Sequence, residues 1–506
     1  MSDSFVFVFP LQTTPGDNKI LGTALEARRQ THNACLAEYL KRLKLLRQSR
    51  AYQKALKLPK SKEKSALLRK LEQKFGVTDY AMQAFALELR KKTWFGKYID
   101  SLTAQKIATT VFIACNEWKF GKRGKPRFKP KGRVHSLEGK SNKAGIRYRD
   151  GFIYWGDLKL KCLMDPKDKD GVQAHAVNSR IKYVRLVGRT IKDQTRWSAQ
   201  VVLAGTPLNK SKHHRAKGKV VGLDVGPSTI AIVGPDKAKI TAFCPDLPER
   251  KEDTKKLKRS IDRKRKANNP HKYNADGTAI KGAKGKWVVS KKQKKIEAQL
   301  AEQERKLQAS RKTQHGTLVN EVLSMGTEIR TEKLSYVGLQ KLFGKSIGLR
   351  APGMFMNTLA RKAENAGGTV VEFPAHKFKL SQLCHNCGVT KKKLLSERWH
   401  ECPCGVYAQR DLYSAFLSRY VGDDSFDRSQ AVKDWPGAEP LLEQALSECE
   451  QTTSGGFRPA SLGLPRQRGL PVKDGSVSTE IKDVVRPVKA GTESLEDVSH
   501  LAVRTP

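Results

Sequence analysis

The spacing of apolar residues divides the first part of the chain into strand-like and helix-like segments. A short run at 5–11, FVFVFPL, is typical of a β-strand. From about 20 to 118, apolar residues recur at helical spacing with basic residues between them, which predicts amphipathic helices. Between 146 and 205 the alternation typical of strands returns. The pattern therefore predicts a β-rich unit and a helical unit inserted into it.

A polar segment at 206–219 marks a boundary, and beyond it strands and helices alternate. An apolar strand, a glycine turn and a second strand follow at 220–234. Two long, strongly basic helices are predicted next, on either side of a Gly/Lys loop at 270–287. Further strands are predicted just before residue 333 and at 369–374. This half of the chain is therefore expected to form a mixed α/β domain.

The last part of the chain has a different composition. Beyond residue 425 it is rich in Ser, Gly, Pro and mixed charge, with few large apolar residues. Such a segment buries too little apolar surface to offset its chain entropy, so we expect residues 426–506 to be a disordered tail. A short helix at about 436–450 is compatible with the pattern. No apolar run could span a bilayer and no secretory signal opens the chain, so we expect no membrane partner.

The charge of the chain changes the prediction from a generic globular protein to a polyanion-binding one. The 506 residues include 97 Lys and Arg against 50 Asp and Glu, a formal net charge of +47. A folded chain with this excess repels itself unless a polyanion neutralises it, and nucleic acid is the first candidate. A ribosomal or chromatin protein would have the same charge. The charge therefore selects the class of partner and leaves the activity open.

Two basic segments are the candidate nucleic-acid contacts. The segment at 119–135, KFGKRGKPRFKPKGRVH, interrupts the helical pattern with glycine, proline and cations, and it offers a phenylalanine for stacking. The second basic helix, near 291–312, has an apolar stripe and cationic remaining faces. The alternative interpretation is a solvated loop and a solvated helix. The residues expected to contact nucleic acid are Lys125, Arg127, Phe128, Lys129, Lys131, Arg133, Lys291, Lys295 and Arg305.

Four of the nine cysteines form two close pairs, Cys384/Cys387 and Cys402/Cys404. Two pairs on short turns present four soft ligands, as a structural zinc ion requires. The second pair has one residue between its cysteines where a zinc ribbon usually has two, so His385 or His400 could replace one ligand. The alternatives are a redox dithiol or a chance cluster. A closed four-ligand site stabilises a fold without catalysing a reaction. The other five cysteines are scattered, which indicates a reducing compartment and a cytoplasmic location.

Three acidic residues flank these cysteines and are candidates for one metal site. Asp224 lies within an otherwise apolar strand, where an unpaired carboxylate would be costly. Glu332 ends a predicted strand, and Asp411 opens a predicted helix. Together they would hold two Mg²⁺ or Mn²⁺ ions about 4 Å apart, the spacing used in phosphodiester hydrolysis. Taken singly, Asp224 could be a turn or cap residue, Glu332 could pair with Lys333, and Asp411 could be an N-cap.

The motifs around these acids resemble those of the transposon-encoded TnpB nucleases and the small type V CRISPR effectors. GLDVG, TEKLS and QRDLYSA resemble the three motifs of a split RuvC-like nuclease and place Asp224, Glu332 and Asp411 at its acidic positions. SQLC, before the first cysteine pair, resembles the opening of the family's zinc ribbon. The likeness is good over about 215–420. Before that, strand, helices, a GKPRFK segment and strands agree in outline with the family's wedge and recognition domains.

The resemblance implies a fold and an activity. It implies a multidomain α+β protein with a ribonuclease-H-like (RuvC) nuclease domain, a zinc-ribbon insertion and a β-barrel-like wedge domain holding helices. It also implies a Mg²⁺-dependent, RNA-guided DNA endonuclease with guide RNA and double-stranded DNA as partners, in the prokaryotic cytoplasm and on the nucleoid when bound to its target. The expected boundaries are wedge 1–15 and 119–215, recognition 16–118, nuclease 216–380, zinc ribbon 381–406, third motif and final helix 407–425, and tail 426–506.

The chain also departs from the family pattern. Gln409 stands where the third motif usually has an acid, Tyr413 replaces an asparagine, and the second cysteine pair is shortened. The three main carboxylates are all retained, so we expect an active nuclease. Two other hypotheses remain open at this point: an RNA-guided DNA-binding protein with weak or no cleavage, and a structural RNA-binding protein without catalysis. The oligomeric state also remains open.

Overall fold

The structure is a computed structural model, and it describes most of the chain up to residue 463. The described residues are 4–192, 194–210, 212–247, 251–283, 285–394, 396–422, 424–452 and 459–463. Within them, buried apolar side chains form a cluster in the helical region, another in the β-rich region and another around the mixed sheet. The predicted combination of several α and β units in one chain is confirmed.

The first strand is followed by a run of helices, as the apolar spacing predicts. The elements are β1 (Ser4–Pro10), α1 (Pro15–Gln48), α2 (Arg50–Lys57), α3 (Lys62–Lys74), α4 (Asp79–Lys92) and α5 (Ser101–Lys119). Thr14 and Asp17 form a capping box that satisfies backbone N–H groups at the start of α1. The apolar stripes of α1, α4 and α5 meet in one cluster that contains Tyr39, Met82 and Ile107. Burial of these stripes stabilises the helices more than their intrinsic propensity does.

The next region returns to antiparallel strands. Its elements are β2 (Ser136–Glu138), β3 (Arg147–Arg149), β4 (Phe152–Trp155), β5 (Leu158–Lys161), α6 (Val172–Asn178), β6 (Ile181–Ile191) and β7 (Gln194–Ala204). One sheet has the order β1-β7-β6-β2 and a smaller one the order β3-β4-β5. Side chains of both sheets, among them Phe9, Ile153 and Trp197, share one buried cluster. The chain thus leaves this β-rich unit after β1 and re-enters it after α5.

A five-stranded mixed sheet organises the second half of the chain. Its elements are β8 (Val220–Val225), β9 (Thr229–Val233), β10 (Ala238–Ala242), α7 (Lys251–Asn268), α8 (Lys291–Met325), β11 (Glu328–Glu332), α9 (Tyr336–Arg350), α10 (Pro352–Asn365) and β12 (Thr369–Phe373). The strand order is β10-β9-β8-β11-β12; β8, β9 and β10 pair antiparallel, whereas β8, β11 and β12 run parallel. This arrangement agrees with the predicted ribonuclease-H-like sheet.

The chain after this sheet forms a small hairpin and two helices. The elements are α11 (Ala375–Phe378), β13 (Trp399–Glu401), β14 (Tyr407–Gln409), α12 (Arg410–Ser418) and α13 (Arg428–Thr452). Helix α12 lies directly on β8. At the crossing, a Cβ atom built on Gly222 would lie 1.7 Å from the backbone oxygen of Ala415, so a side chain there has no space. The glycine therefore sets the distance between the helix and the strand.

The prediction of a disordered tail from residue 426 is wrong for residues 428–452. Helix α13 covers them, although Pro436 and Pro440 lie inside it. Its buried residues recur every three or four positions and form one stripe: Ala431, Trp435, Ala438, Leu442, Ala445 and Cys449. The composition hid this stripe because proline, glycine and acidic residues stand between its members. Residues 453–458 and 464–506 of the predicted tail lie outside the described residues.

Across the described ranges, no helix combines the length and apolar character needed to cross a membrane.

Candidate active site and metal centre

The three predicted carboxylates line one cavity. Asp224 is the fifth residue of β8, Glu332 ends the adjacent parallel strand β11, and Asp411 lies in the first turn of α12. Because neighbouring parallel strands end at the same edge of a sheet, the first two acids come together. The contact of α12 with β8 then brings the third acid over that edge. The cavity has a volume of about 670 Å³ and opens to solvent.

The electrostatics of this cavity favour a bound cation. Burial raises the pKa of Asp224 well above its ordinary value, and the nearby charges of Asp411 and Glu332 raise it further. Burial also raises the pKa of Glu332. The pKa of Asp411 is raised by burial too, although Arg410 and Arg398 oppose the shift. Three crowded carboxylates that resist ionisation are strongly stabilised by a divalent cation, so these residues could hold one or more metal ions.

The raised pKa values predict how stability depends on pH. In metal-free protein, Asp224 keeps its proton in the folded state at pH values where the unfolded chain releases it. Stability from this group is therefore lost as the pH rises through the folded-state pKa. Added Mg²⁺ should reverse this loss, because the ion binds the ionised carboxylates. Thermal unfolding of wild type and Asp224→Asn, from about pH 4 to about pH 8 with and without Mg²⁺, measures the effect. A metal-free wild type that loses no more stability than the variant would contradict the prediction.

The spacing of the acids differs from that of a closed single-ion site. Among the described His, Cys, Asp and Glu residues, only the four paired cysteines form a group of three or more whose ligand atoms all lie within 4.8 Å of one another. The acids share their cavity at wider spacing.

The cavity also has cationic side chains that were not predicted from the sequence. Lys345, Lys393, Arg398 and Arg410 line it together with the acids. The Nε of Arg410 lies 3.5 Å from the Oδ1 of Asp411. For Lys393 and Arg398 the sequence contained a signal, the run of cations KKKLLSER between the two cysteine pairs. This run could have been assigned to the site only if its segment had been known to lie next to the cavity. The insertion is thus part of the cavity wall as well as a scaffold.

The four cysteines meet as a closed cluster. The Sγ atoms of Cys384 and Cys404 are 3.5 Å apart, and those of Cys387 and Cys402 are 3.4 Å apart. Each pair lies on a tight turn that continues into a glycine with positive φ, +78° at Gly388 and +95° at Gly405. The shortened pair therefore still reaches the cluster. Four thiolates in this arrangement could hold a tetrahedral zinc ion.

Neither histidine replaces a cysteine in the cluster. The Nδ1 of His385 lies 2.7 Å from the hydroxyl of Tyr413, and that hydroxyl also accepts a hydrogen bond from the His385 backbone N–H. His400 pairs through Nδ1 with the amine of Lys393. Burial lowers the pKa of both imidazoles to about 4, so both are neutral at neutral pH. Tyr413, which departs from the family pattern, thus connects the turn of the first cysteine pair to α12.

The departure at Gln409 also has a structural role. Its side-chain oxygen accepts a hydrogen bond of 2.8 Å from the backbone N–H of Leu412, which makes it the N-cap of α12. Asp411 is thereby free of the capping role that the sequence left open for it. Its Oδ2 instead lies 3.5 Å from the hydroxyl of Thr229.

The first predicted nucleic-acid segment is an exposed loop anchored at Lys129. The Lys129 backbone oxygen accepts hydrogen bonds from Arg29 and Asn33, and its N–H donates to Asn33. Phe128 is 55% exposed and able to stack. Among the cations predicted to contact nucleic acid in this loop, Lys125, Arg127, Lys131 and Arg133 are exposed.

The second predicted segment lies on α8, beside a groove that α7 helps to form. Lys295 and Arg305 line the groove, and Lys291 lies outside its lining. Arg305 donates two hydrogen bonds of 2.7 Å to Glu302, which neutralises part of its charge. Lys192, at the tip of the β6–β7 hairpin, also lines the groove and was not predicted. Its sequence position, far from α8, gave no signal.

Residues 353–417 match the family model described as "Cas12f1-like, TNB domain". The matched segment runs from α10 to α12, so it contains the cysteine cluster and Asp411. The resemblance to small type V CRISPR effectors noted in the sequence is confirmed by this match. Among curated proteins, none matches the chain significantly.

Three solved structures are similar to the chain at low identity. The cryo-EM structure of a Cas12f1-sgRNA-target DNA complex is 13% identical, with a TM-score of 0.38, and the alignment covers 82% of this chain and 98% of that one. A CRISPR-Cas12f ternary complex is 12% identical, with a TM-score of 0.26, covering 81% and 83%. A Cas12i-crRNA-dsDNA complex in the I1 state is 11% identical, with a TM-score of 0.28, covering 87% and 70%.

Proposed function

We propose that this protein is an RNA-guided DNA endonuclease with a single RuvC-like site. The observation that carries the proposal is the convergence of Asp224, Glu332 and Asp411, distant in sequence, on one open cavity. The excess of 47 positive charges supports a protein that holds a long RNA and a DNA duplex at once. Guide RNA would select the target by base pairing, while the protein contacts backbone and a short adjacent motif.

The three carboxylates would hold two Mg²⁺ or Mn²⁺ ions. When bound, such a pair supplies an activated water and stabilises the leaving 3′-oxygen. The chain supplies the positions: Asp224 on the sheet, Glu332 at the end of the next strand, and Asp411 from the helix above. Arg398 and Arg410 border the same cavity, where they would neutralise phosphates beside the scissile bond. One site would then cut both strands in turn.

The test of this proposal begins with the RNA that co-purifies with the protein. Sequencing it identifies the guide and its source, and a plasmid carrying the matching target can then be built. Purified complex with Mg²⁺ is expected to nick and linearise the matched plasmid and to leave a mismatched plasmid intact. Intact matched plasmid at every Mg²⁺ and Mn²⁺ concentration would overturn the nuclease proposal. Retention of RNA without any specific guide would favour the structural RNA-binding protein.

An RNA-guided DNA-binding protein with weak cleavage is the second candidate. Gln409 favours it, because this residue stands where the third motif usually has an acid and is instead buried as a helix cap. The third motif therefore has one carboxylate fewer than the family pattern suggests, although Gln409 itself does not line the cavity of the three acids. Tight binding of the matched plasmid together with slow or absent cutting would support this second function.

The cysteine cluster leads to a prediction about zinc. We expect one structural zinc ion per chain, and replacing Cys387 with serine should release it and lower Tm by about 5 °C or more, because metal binding stabilises the folded state. Elemental analysis and thermal unfolding measure both effects. Cys115→Ala changes a buried thiol outside the cluster and should keep its zinc. Full zinc content in Cys387→Ser would contradict the four-thiolate assignment.

A further inference from the structure

The chain returns to the catalytic cavity after α13. Residues 459–463, named here the C-terminal clasp, contain a short 3₁₀ turn at Ala460–Leu462. Within it the side chain of Leu462 is fully buried, and Ser461 lines the cavity together with Asp224 and Asp411. The sequence assigned this segment to a disordered tail. Its position at the cavity is therefore a property that only the fold reveals.

One contact of the clasp reaches the turn that follows Asp224. The hydroxyl of Ser461 lies 3.0 Å from the hydroxyl of Ser228. The same turn is held elsewhere by the hydroxyl of Ser346, which donates to the oxygen of Pro227, and by the Phe243 N–H, which donates to the oxygen of Ser228. The clasp adds a further attachment, on the side of the cavity where α12 begins.

Other contacts of the clasp reach the elements that carry Asp411 and Arg398. The side-chain amide of Gln409, the N-cap of α12, lies 3.5 Å from the backbone oxygen of Leu462. Gly463, with φ of +75°, is so close to Arg398 that a Cβ atom on it would lie 2.8 Å from the Arg398 Cβ. Three residues of the clasp, Ser461, Leu462 and Gly463, thus touch the turn after Asp224, the cap before Asp411 and a cationic residue of the cavity.

Helix α13, which precedes the clasp, also contacts the turn between Cys384 and Cys387. Arg428, at its first turn, donates hydrogen bonds to the backbone oxygens of His385 and Asn386, between the first two cysteines. Trp435 packs on His385, with ring centroids 4.7 Å apart. The chain after the third motif therefore contacts the turn of the first cysteine pair through α13. It contacts Arg398 through the clasp.

We propose that the C-terminal clasp is a positioning element that holds Asp224 and Asp411 at the separation needed for metal binding and cleavage. The inference rests on the proposed nuclease function for its cleavage effect, while its metal-binding effect can be measured without DNA. The contact of α12 with β8 sets the distance between the two walls that carry these acids, and the clasp adds a link between the turn after Asp224 and the cap before Asp411. Its loss should therefore let the turn and the cap shift relative to each other. A misplacement of about 1 Å at a catalytic group is enough to cost about a hundredfold in rate.

Two truncations separate the clasp from the rest of the C-terminal region. A chain ending at Thr452 keeps α13 and lacks the clasp; a chain ending at Gly463 keeps both. The longer form is expected to match the full chain in cleavage rate and in Mn²⁺ affinity, which calorimetry measures on protein freed of Mg²⁺ and Mn²⁺ but still carrying its zinc. The shorter form is expected to bind Mn²⁺ about tenfold more weakly and to cleave at least about tenfold more slowly, a loss equivalent to one or two net hydrogen bonds.

A point variant tests the same contact without removing buried apolar surface. Ser461→Ala should weaken Mn²⁺ affinity and slow cleavage by about threefold to fivefold, and Ser461→Thr, which keeps the hydroxyl, should recover most of both. Ser447→Ala, at an exposed serine of α13, is the matched control and should behave as wild type. Unchanged Mn²⁺ affinity in Ser461→Ala overturns the inference, as does a loss of thermal stability without any change in metal affinity.

The outcomes for the two proposals are distinguishable. If wild type cleaves and Ser461→Ala equals it in rate and Mn²⁺ affinity, the positioning role fails while the nuclease function stands. If wild type never cleaves, the nuclease function fails, and the Mn²⁺ titrations still decide whether the clasp organises the carboxylates.

Discussion

Replacing Asp224 with asparagine is expected to abolish DNA cleavage while leaving RNA binding intact. The substitution keeps the shape of the side chain and removes a charge that we propose binds metal, next to the other two acids. Loss of metal-ion stabilisation is worth several kcal/mol in the transition state, so the rate should fall about a thousandfold or more. Cleavage of the matched plasmid and retention of the guide RNA, measured on the same preparation, check this result.

The same variant should be at least as stable as wild type in the absence of metal. Burial and the neighbouring carboxylates make an ionised Asp224 unfavourable in the folded state, and a neutral amide avoids that cost. Asp236→Asn is the matched control, since Asp236 is an exposed acid near the same sheet, paired with Lys219, and should keep full activity. Cleavage by Asp224→Asn at the wild-type rate would remove the basis of the proposed function.

Replacing Gly222 with alanine is expected to displace Asp411, although Gly222 has no side chain that could contact a metal ion or a substrate. Its Cβ would overlap the backbone oxygen of Ala415 at 1.7 Å, and a backbone atom cannot rotate away as a side chain can. Helix α12 must therefore move off β8 and take Asp411 with it. We expect a loss of stability of about 1 to 3 kcal/mol and a loss of cleavage of about a hundredfold. Thermal unfolding and plasmid cleavage measure the two effects.

Gly316→Ala provides the comparison for this prediction. Gly316 lies in α8, with no atom within 4 Å of the Cβ that alanine would add, so its replacement should leave cleavage unchanged and not reduce stability. Wild-type cleavage by Gly222→Ala would show that Asp411 does not depend on the helix–strand contact for its position.

Local patterns in the sequence were enough to predict most of the elements before residue 425 and the candidate ligands. Apolar periodicity predicted the helices between α1 and α5, and the lone acid in an apolar strand identified Asp224, because a buried carboxylate needs a partner. Cysteine spacing identified the cluster at Cys384. These features depend on residues close in the chain, so the sequence carries them directly.

Distances between remote segments were decided by the tertiary structure alone. The contact of Gly222 with α12 brings Asp411 over Asp224, and no local pattern encodes that contact. Helix α13 was anticipated only as an option for a short helix at about 436–450, because prolines and acids outnumber the residues of its apolar stripe. The stripe becomes recognisable only once the surface that it covers is known. The position of the clasp at Ser461 likewise depends on α13, which precedes it in the chain. The sequence by itself thus determined which side chains could bind metal, while packing between segments far apart in the chain decided which of them share a cavity, because burial depends on partners that a linear pattern does not contain.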